Sequence, residues 1–88
     1  MIIGKVIGTV VSTRKNPNLT GSKFLIVEPM DGMASQRVVA VDNVGAGVGE
    51  LVLVATGSAA RVGAGNENAP VDALIVGIVD SAEQIRIG

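Results

Sequence analysis

The sequence predicts a small all-β domain, a barrel or sandwich with one short helical turn, and three observations lead there. Short apolar runs rich in Val and Ile recur roughly every ten to fifteen residues. Each run is bounded by Gly, Pro, Asn or Asp, the residues that make turns. No stretch sustains the 3.6-residue periodicity of a long helix.

Taken in order, the first run spans Ile2 to Thr13 and ends at the polar cluster Arg14-Lys15-Asn16-Pro17-Asn18. Gly4 and Gly8 stand four apart in it, which places them on one face of a regular strand and lets a long strand coil. The second run, Lys23 to Glu28, stops before Pro29 and a turn at Asp31-Gly32, and the third, Gln36 to Asp42, ends at Asn43. Leu51 to Thr56 lies between Gly49 and Gly57, and Ala73 to Asp80 follows Pro70. The segment Gln84 to Ile87 offers a sixth strand. Helix fits only at Ser58-Ala59-Ala60-Arg61, a single turn that the Ser58 hydroxyl can cap. Ala64 to Pro70 reads as an exposed loop.

One feature departs from an ordinary β domain. A strand with one wet face alternates apolar and polar residues. Val38 to Val41, Leu51 to Ala55, Leu74 to Val79 and Phe24 to Val27 do not alternate. Side chains point to opposite faces along a strand, so these segments are apolar front and back. One face can meet the domain's own core; the other needs a cover, and the sequence provides almost no helix to supply it. Exposed apolar patches larger than a few hundred Å² mark contact sites. Other copies of the chain are the economical cover.

Composition points the same way. A domain of 88 residues builds a marginal core and relies on disulfides, metals or oligomerisation. Cysteine and histidine are both absent, which removes disulfides, thiolate sites and the commonest metal ligand. Oligomerisation is what remains, and no cofactor or metal is expected. A net charge of −1 provides no field for nucleic acid or anionic lipid. No apolar run is long enough to span a membrane as a helix, and no signal-peptide pattern opens the chain, so a cytosolic protein is expected. Asn18-Leu19-Thr20 matches a glycosylation sequon by chance on this reading.

The motifs support little chemistry. Gly45-Ala46-Gly47-Val48-Gly49-Glu50 has neither the spacing nor the following helix of a dinucleotide loop, so it reads as a tight backbone turn before a strand. Asp42 and Glu50 flank that turn, and Asp72 and Asp80 bracket the last main strand. A glycosidase-like carboxylate pair would lack aromatic residues to hold a sugar, so no catalytic residue is assigned. Arg61 is expected to pair with Asp72 or Glu50. An OB-fold-like nucleic-acid or small-ligand binding module is the alternative function, but such sites stack bases on aromatic rings in a basic groove. This chain has Phe24 alone and no basic cluster beyond Arg14-Lys15.

An ordered set of segments resembles a known family. Gly8-Thr9-Val10-Val11-Ser12-Thr13 is followed by Leu19, Gly21 and Lys23-Phe24-Leu25. Next come Asp42-Asn43-Val44-Gly45-Ala46-Gly47-Val48-Gly49-Glu50, Gly57-Ser58-Ala59-Ala60-Arg61, Pro70-Val71-Asp72-Ala73 and Ile75 to Asp80. Each is weak alone; together they resemble the bacterial microcompartment vertex proteins of carboxysomes and of the ethanolamine- and propanediol-utilisation shells. The resemblance implies one domain over residues 1–88, a five-stranded OB-like β-barrel. It implies a structural shell subunit and not an enzyme. Such subunits form homopentamers that close the vertices of a shell otherwise tiled by hexameric shell proteins, in the bacterial cytoplasm. It also places Val44, Gly45, Ala46 and Gly47, and Gly57, Ser58, Ala59, Ala60 and Arg61, near subunit contacts or a central opening.

Overall fold

In the computed structural model, which describes residues 1–13, 15–19, 21–65 and 70–88, the five main apolar runs form five strands. They are β1 (Ile2–Val10), β2 (Lys23–Pro29), β3 (Val38–Asp42), β4 (Leu51–Thr56) and β5 (Ala73–Val79). A helix, α1 (Ser58–Gly63), joins β4 to β5, and two 3-10 turns cover Pro17–Leu19 and Ala82–Gln84. The strands close into a barrel in the order β1-β2-β3-β5-β4. Every neighbouring pair is antiparallel except β3 and β5, which run parallel. The expected five-stranded all-β barrel is therefore the fold.

Closure depends on β1, which pairs with β4 through Ile2 to Lys5 and with β2 from Gly4 to Val10. A strand shared this way must coil. The register shifts between Val6 and Gly8, leaving Ile7 as an extra residue. A matching shift in β5 passes over Val76 between Ile75 and Gly77. Such bulges bend the strand and increase its twist, which a five-stranded barrel needs. The shift corrects one expectation. Gly4 lies opposite Pro29 on the inner face, whereas Gly8 lies opposite Ile26 on the outer one, so the two glycines do not share a face.

Gly4 is required by close approach. A Cβ there would lie 2.5 Å from Val27 Cγ1 and 2.6 Å from the Glu28 carbonyl oxygen. With no side chain, β1 and β2 can press together at the point where β1 begins to serve both neighbours.

The barrel interior is filled by Val6, Leu25, Val27, Ala40, Val52, Val54 and Ile75, all fully buried. A second, smaller cluster lies outside the sheet, where Ala60 of α1 packs with Val71 and Leu74, flanked by Leu19, Val41 and Ala64. The short helix thus covers part of the outer face, more than the sequence suggested. It extends to Gly63, two residues beyond the predicted turn, and its N-cap is Gly57, with no side-chain cap bond from Ser58. Gly57 holds φ +65°, a left-handed conformation that a residue with a Cβ adopts at a cost.

Other boundaries differ from expectation: β2 runs one residue further, through Pro29, and β5 ends at Val79, one residue before Asp80. β1 ends at Val10, three residues before Thr13, and β3 begins at Val38, after Gln36 and Arg37. The Gln84 to Ile87 segment adds no sixth strand. Ser81 caps a 3-10 turn there, its side chain and that of Gln84 forming a reciprocal capping box, and residues 85–88 follow with no strand pairing. Of the predicted Ala64 to Pro70 loop, residues 66–69 lie outside the described residues, as do Arg14 and Thr20.

Candidate functional site

The segment 43–50 is shaped by the residue that precedes it. Asp42 ends β3 on its inward-facing register, and its side chain is fully buried. Its carboxylate accepts the backbone N–H groups of Val44 (2.9 Å), Gly45 (3.2 Å) and Ala46 (2.8 Å). Lys23, opposite Asp42 on β2, donates from its ammonium to the Ala46 carbonyl at 2.6 Å and lies 3.6 Å from Asp42 Oδ2. At the far side of the loop, Glu50 Oε1 accepts the Gly47 N–H at 2.6 Å. The loop then joins β1, with Gly49 N–H donating to Val6 O and Val6 N–H to Glu50 O.

A carboxylate offers about four lone-pair sites. Three amides occupy three of those of Asp42, with the Lys23 ammonium 3.6 Å away, and one oxygen of Glu50 accepts the Gly47 N–H. Both acids flanking the glycine turn therefore anchor its backbone. Among the described residues no group of three or more acidic side chains comes together as a metal site.

From the sequence Asp42 is legible only as one of two acids flanking the glycine turn, not as a buried hub. Its local signal is an Asp whose side chain reaches amides two to four residues ahead, the Asx-turn habit. The lysine contact spans 23 residues and has no local signal.

The two predicted contact segments are held apart. The first enters β4 at Leu51 and the second leaves it after Thr56, roughly 17 Å away along the strand. In the first, Val44 and Gly45 are exposed and Gly47 half-buried, while Ala46 is 1% exposed and belongs to the barrel core. In the second, Gly57, Ser58, Ala59 and Arg61 are exposed, while Ala60 is fully buried under the helix. Ala46 and Ala60 are therefore packed inside their own chain. Arg61 forms no ion pair with Asp72 or Glu50; the ion pairs among the described residues are Lys23–Asp42 and Arg37–Glu28.

The outer surface shows where the missing alternation leads. Val39 is 52% exposed, Val76 40% and Ile7 39%, the latter two being the bulged residues. Ile3, Leu53 and Gly77 form one outward row across β1, β4 and β5, and Lys5, Leu51 and Val79 form the next. Ile3, Leu51, Leu53 and Val79 are only half-buried. Helix α1 shields Leu74 and Val41, but these rows and Val39 lie beyond its cluster. Phe24, the one aromatic ring, is half-buried, with the Lys15 ammonium 5.8 Å from its centroid, so it presents no open stacking platform.

Comparison with known proteins places this surface in a lineage. Residues 1–80 match the family described as ethanolamine utilisation protein EutN/carboxysome. The carboxysome shell vertex protein CcmL of Synechocystis sp. is 56% identical over 84 residues, covering 92% of this chain and 84% of that protein. The bacterial microcompartment shell vertex protein GrpN of Rhodospirillum rubrum is 51% identical over 90 residues, covering 98% of this chain and all of that protein. The solved structure of GrpN, described as a pentameric microcompartment shell protein, superposes with a TM-score of 0.79 at 46% identity, covering 98% of this chain and 100% of that one.

Proposed function

Because the chain belongs to the ethanolamine utilisation protein EutN/carboxysome family, we propose that it is a structural shell subunit that assembles into pentamers and caps the vertices of a bacterial microcompartment in the cytoplasm. The observation that carries this reading is the end-to-end match of the barrel to a shell protein whose own assembly is pentameric. The lone barrel supports it physically. Its outer rows expose or half-expose Ile3, Val39, Leu51 and Leu53, apolar surface of the kind that marks a contact site. A ring needs a heterologous interface, in which one patch meets a different patch on the next copy.

The role is structural, as the names of the homologous shell vertex proteins suggest, and the acids flanking the glycine turn hold its backbone. Subunit contacts or the rim of a central opening draw on the exposed members of the two segments, Val44, Gly45 and Gly47, and Gly57, Ser58, Ala59 and Arg61. Ala46 and Ala60 serve from inside, fixing the shape of each segment. The outer rim meets hexameric shell proteins.

Co-production with hexameric shell subunits tests this. With the chain present, closed polyhedral particles are expected by electron microscopy; without it, open or elongated assemblies. Identical particles in both cases, with the chain left in the soluble fraction, would contradict the reading.

A further inference from the structure

The parallel junction of the barrel is incomplete. β3 and β5 pair only at Val41↔Leu74 and Asp42↔Ile75. Over Val38 to Ala40 the same edge of β3 has no strand partner among the described residues. A groove of about 570 Å³ opens there, with Arg37, Val38 and Val39 on one wall and Thr56, Asp72 and Ala73 on the other. An unpaired strand edge beside a groove is a template for an added strand, which bonds through the backbone and seats alternate side chains.

The segment after the last 3-10 turn has the chemistry of such a strand. Ile85 is extended, with φ −93° and ψ 117°, and Ile85-Arg86-Ile87 alternates apolar and charged residues. Ile87 is 90% exposed. As a strand, the segment places both isoleucines on one face and Arg86 on the other. The groove is complementary. Ala73 is buried and Val38 half-buried on the inward register, whereas Asp72, just before β5, is exposed. The tail also leaves the barrel at the Val79 end of β5, about 20 Å along that strand from the groove at its Ala73 end.

We infer that residues 85–87 of one copy dock as an added strand along Val38 to Ala40 of a neighbouring copy, with Ile85 and Ile87 in the groove and Arg86 beside Asp72. This rests on the ring proposed above and gives it a head-to-tail contact, one end of each barrel engaging the other end of the next. The two glycine-containing segments then flank the joint, Gly57 lining the groove and the 43–50 loop lying at the end from which the tail departs.

The chain contains no cysteine, so engineered thiols report without background from native ones. Two full-length double variants, Val39→Cys with Arg86→Cys and Val39→Cys with Ile87→Cys, are treated with a short bismaleimide and run on a denaturing gel. Val11→Cys with Arg86→Cys sets the level of chance cross-linking. Light scattering on each untreated sample gives its oligomeric state. A ladder of covalent multimers well above the control, in either variant, is the expected result. Control-level cross-linking in both variants, from protein that is still oligomeric, overturns the tail docking and leaves the ring standing. A wild-type chain that is monomeric overturns both.

Discussion

Replacing Asp42 by Ala should cost the protein about 3–5 kcal/mol. The figure follows from what the carboxylate holds. Hydrogen bonds to a charged group contribute about 1.5–3 kcal/mol each when buried, and an orphaned buried donor costs about 1–3 kcal/mol. Ala46 is buried, so its N–H loses its partner at 2.8 Å and finds no water. The Val44 and Gly45 amides belong to exposed residues and recover solvent, so each loses only about 1 kcal/mol. Asp42→Asn keeps the oxygen facing Val44 and Gly45 but turns an amide donor toward the Ala46 N–H, for an intermediate loss of about 1–3 kcal/mol. Lys23→Met should cost less than Asp42→Ala, about 1–2 kcal/mol, because the Ala46 carbonyl loses its ammonium donor, while the lysine side chain is 51% exposed and its ion pair with Asp42 is weakened by solvent.

Thermal melts at matched protein concentration read the series, since a subunit coupled to its neighbours melts in a concentration-dependent way. For a domain of this size the Asp42→Ala midpoint should fall by at least about 12 °C. An Asp42→Ala protein within about 1 kcal/mol of wild type, or a Lys23→Met protein less stable than it, would refute the buried-hub argument.

Three further outcomes follow from the geometry. Gly4→Ala should lower stability by about 1–3 kcal/mol, read as a lower urea midpoint, because the new Cβ meets the Glu28 backbone as well as Val27; an unchanged midpoint would show that the β1–β2 approach is not tight. Ala46→Glu should yield an unfolded or insoluble chain by circular dichroism, since the carboxylate enters the barrel core; a folded monomer would instead place Ala46 at an interface. Arg61→Ala should melt within about 0.5 kcal/mol of wild type, as Arg61 is exposed and makes no ion pair among the described residues; a larger drop would reveal a partner.

What the sequence made legible is the part governed by local chemistry. Val52, Val54 and Leu25 lie in runs whose β-branched and aliphatic character and glycine boundaries define strands, and they form the core. The lack of alternation around Val39 and Leu53 implies an outer face needing cover, and the outer rows are apolar apart from Lys5 and Gly77. Register was less accessible. Gly8 and Gly77 each follow a bulged β-branched residue, Ile7 and Val76, and a single extra residue flips every later side chain, so Gly4 and Gly8 part company. Ile85 and Ile87 have the alternation of a strand, but a strand exists only where an edge pairs with it, and none does among the described residues. The Lys23–Asp42 contact depends on β2 and β3 being aligned, which no local pattern announces. Of the two segments singled out by resemblance, the exposed positions were separable from the buried Ala46 and Ala60 only once the barrel and α1 were in place.

Native mass spectrometry of the purified chain at low micromolar concentration bears most directly on whether these barrels close into a ring. A single dominant species at five times the 8.9 kDa chain mass is expected. A population that stays at one chain mass would mean that the uncovered apolar rows have no sister subunit to meet.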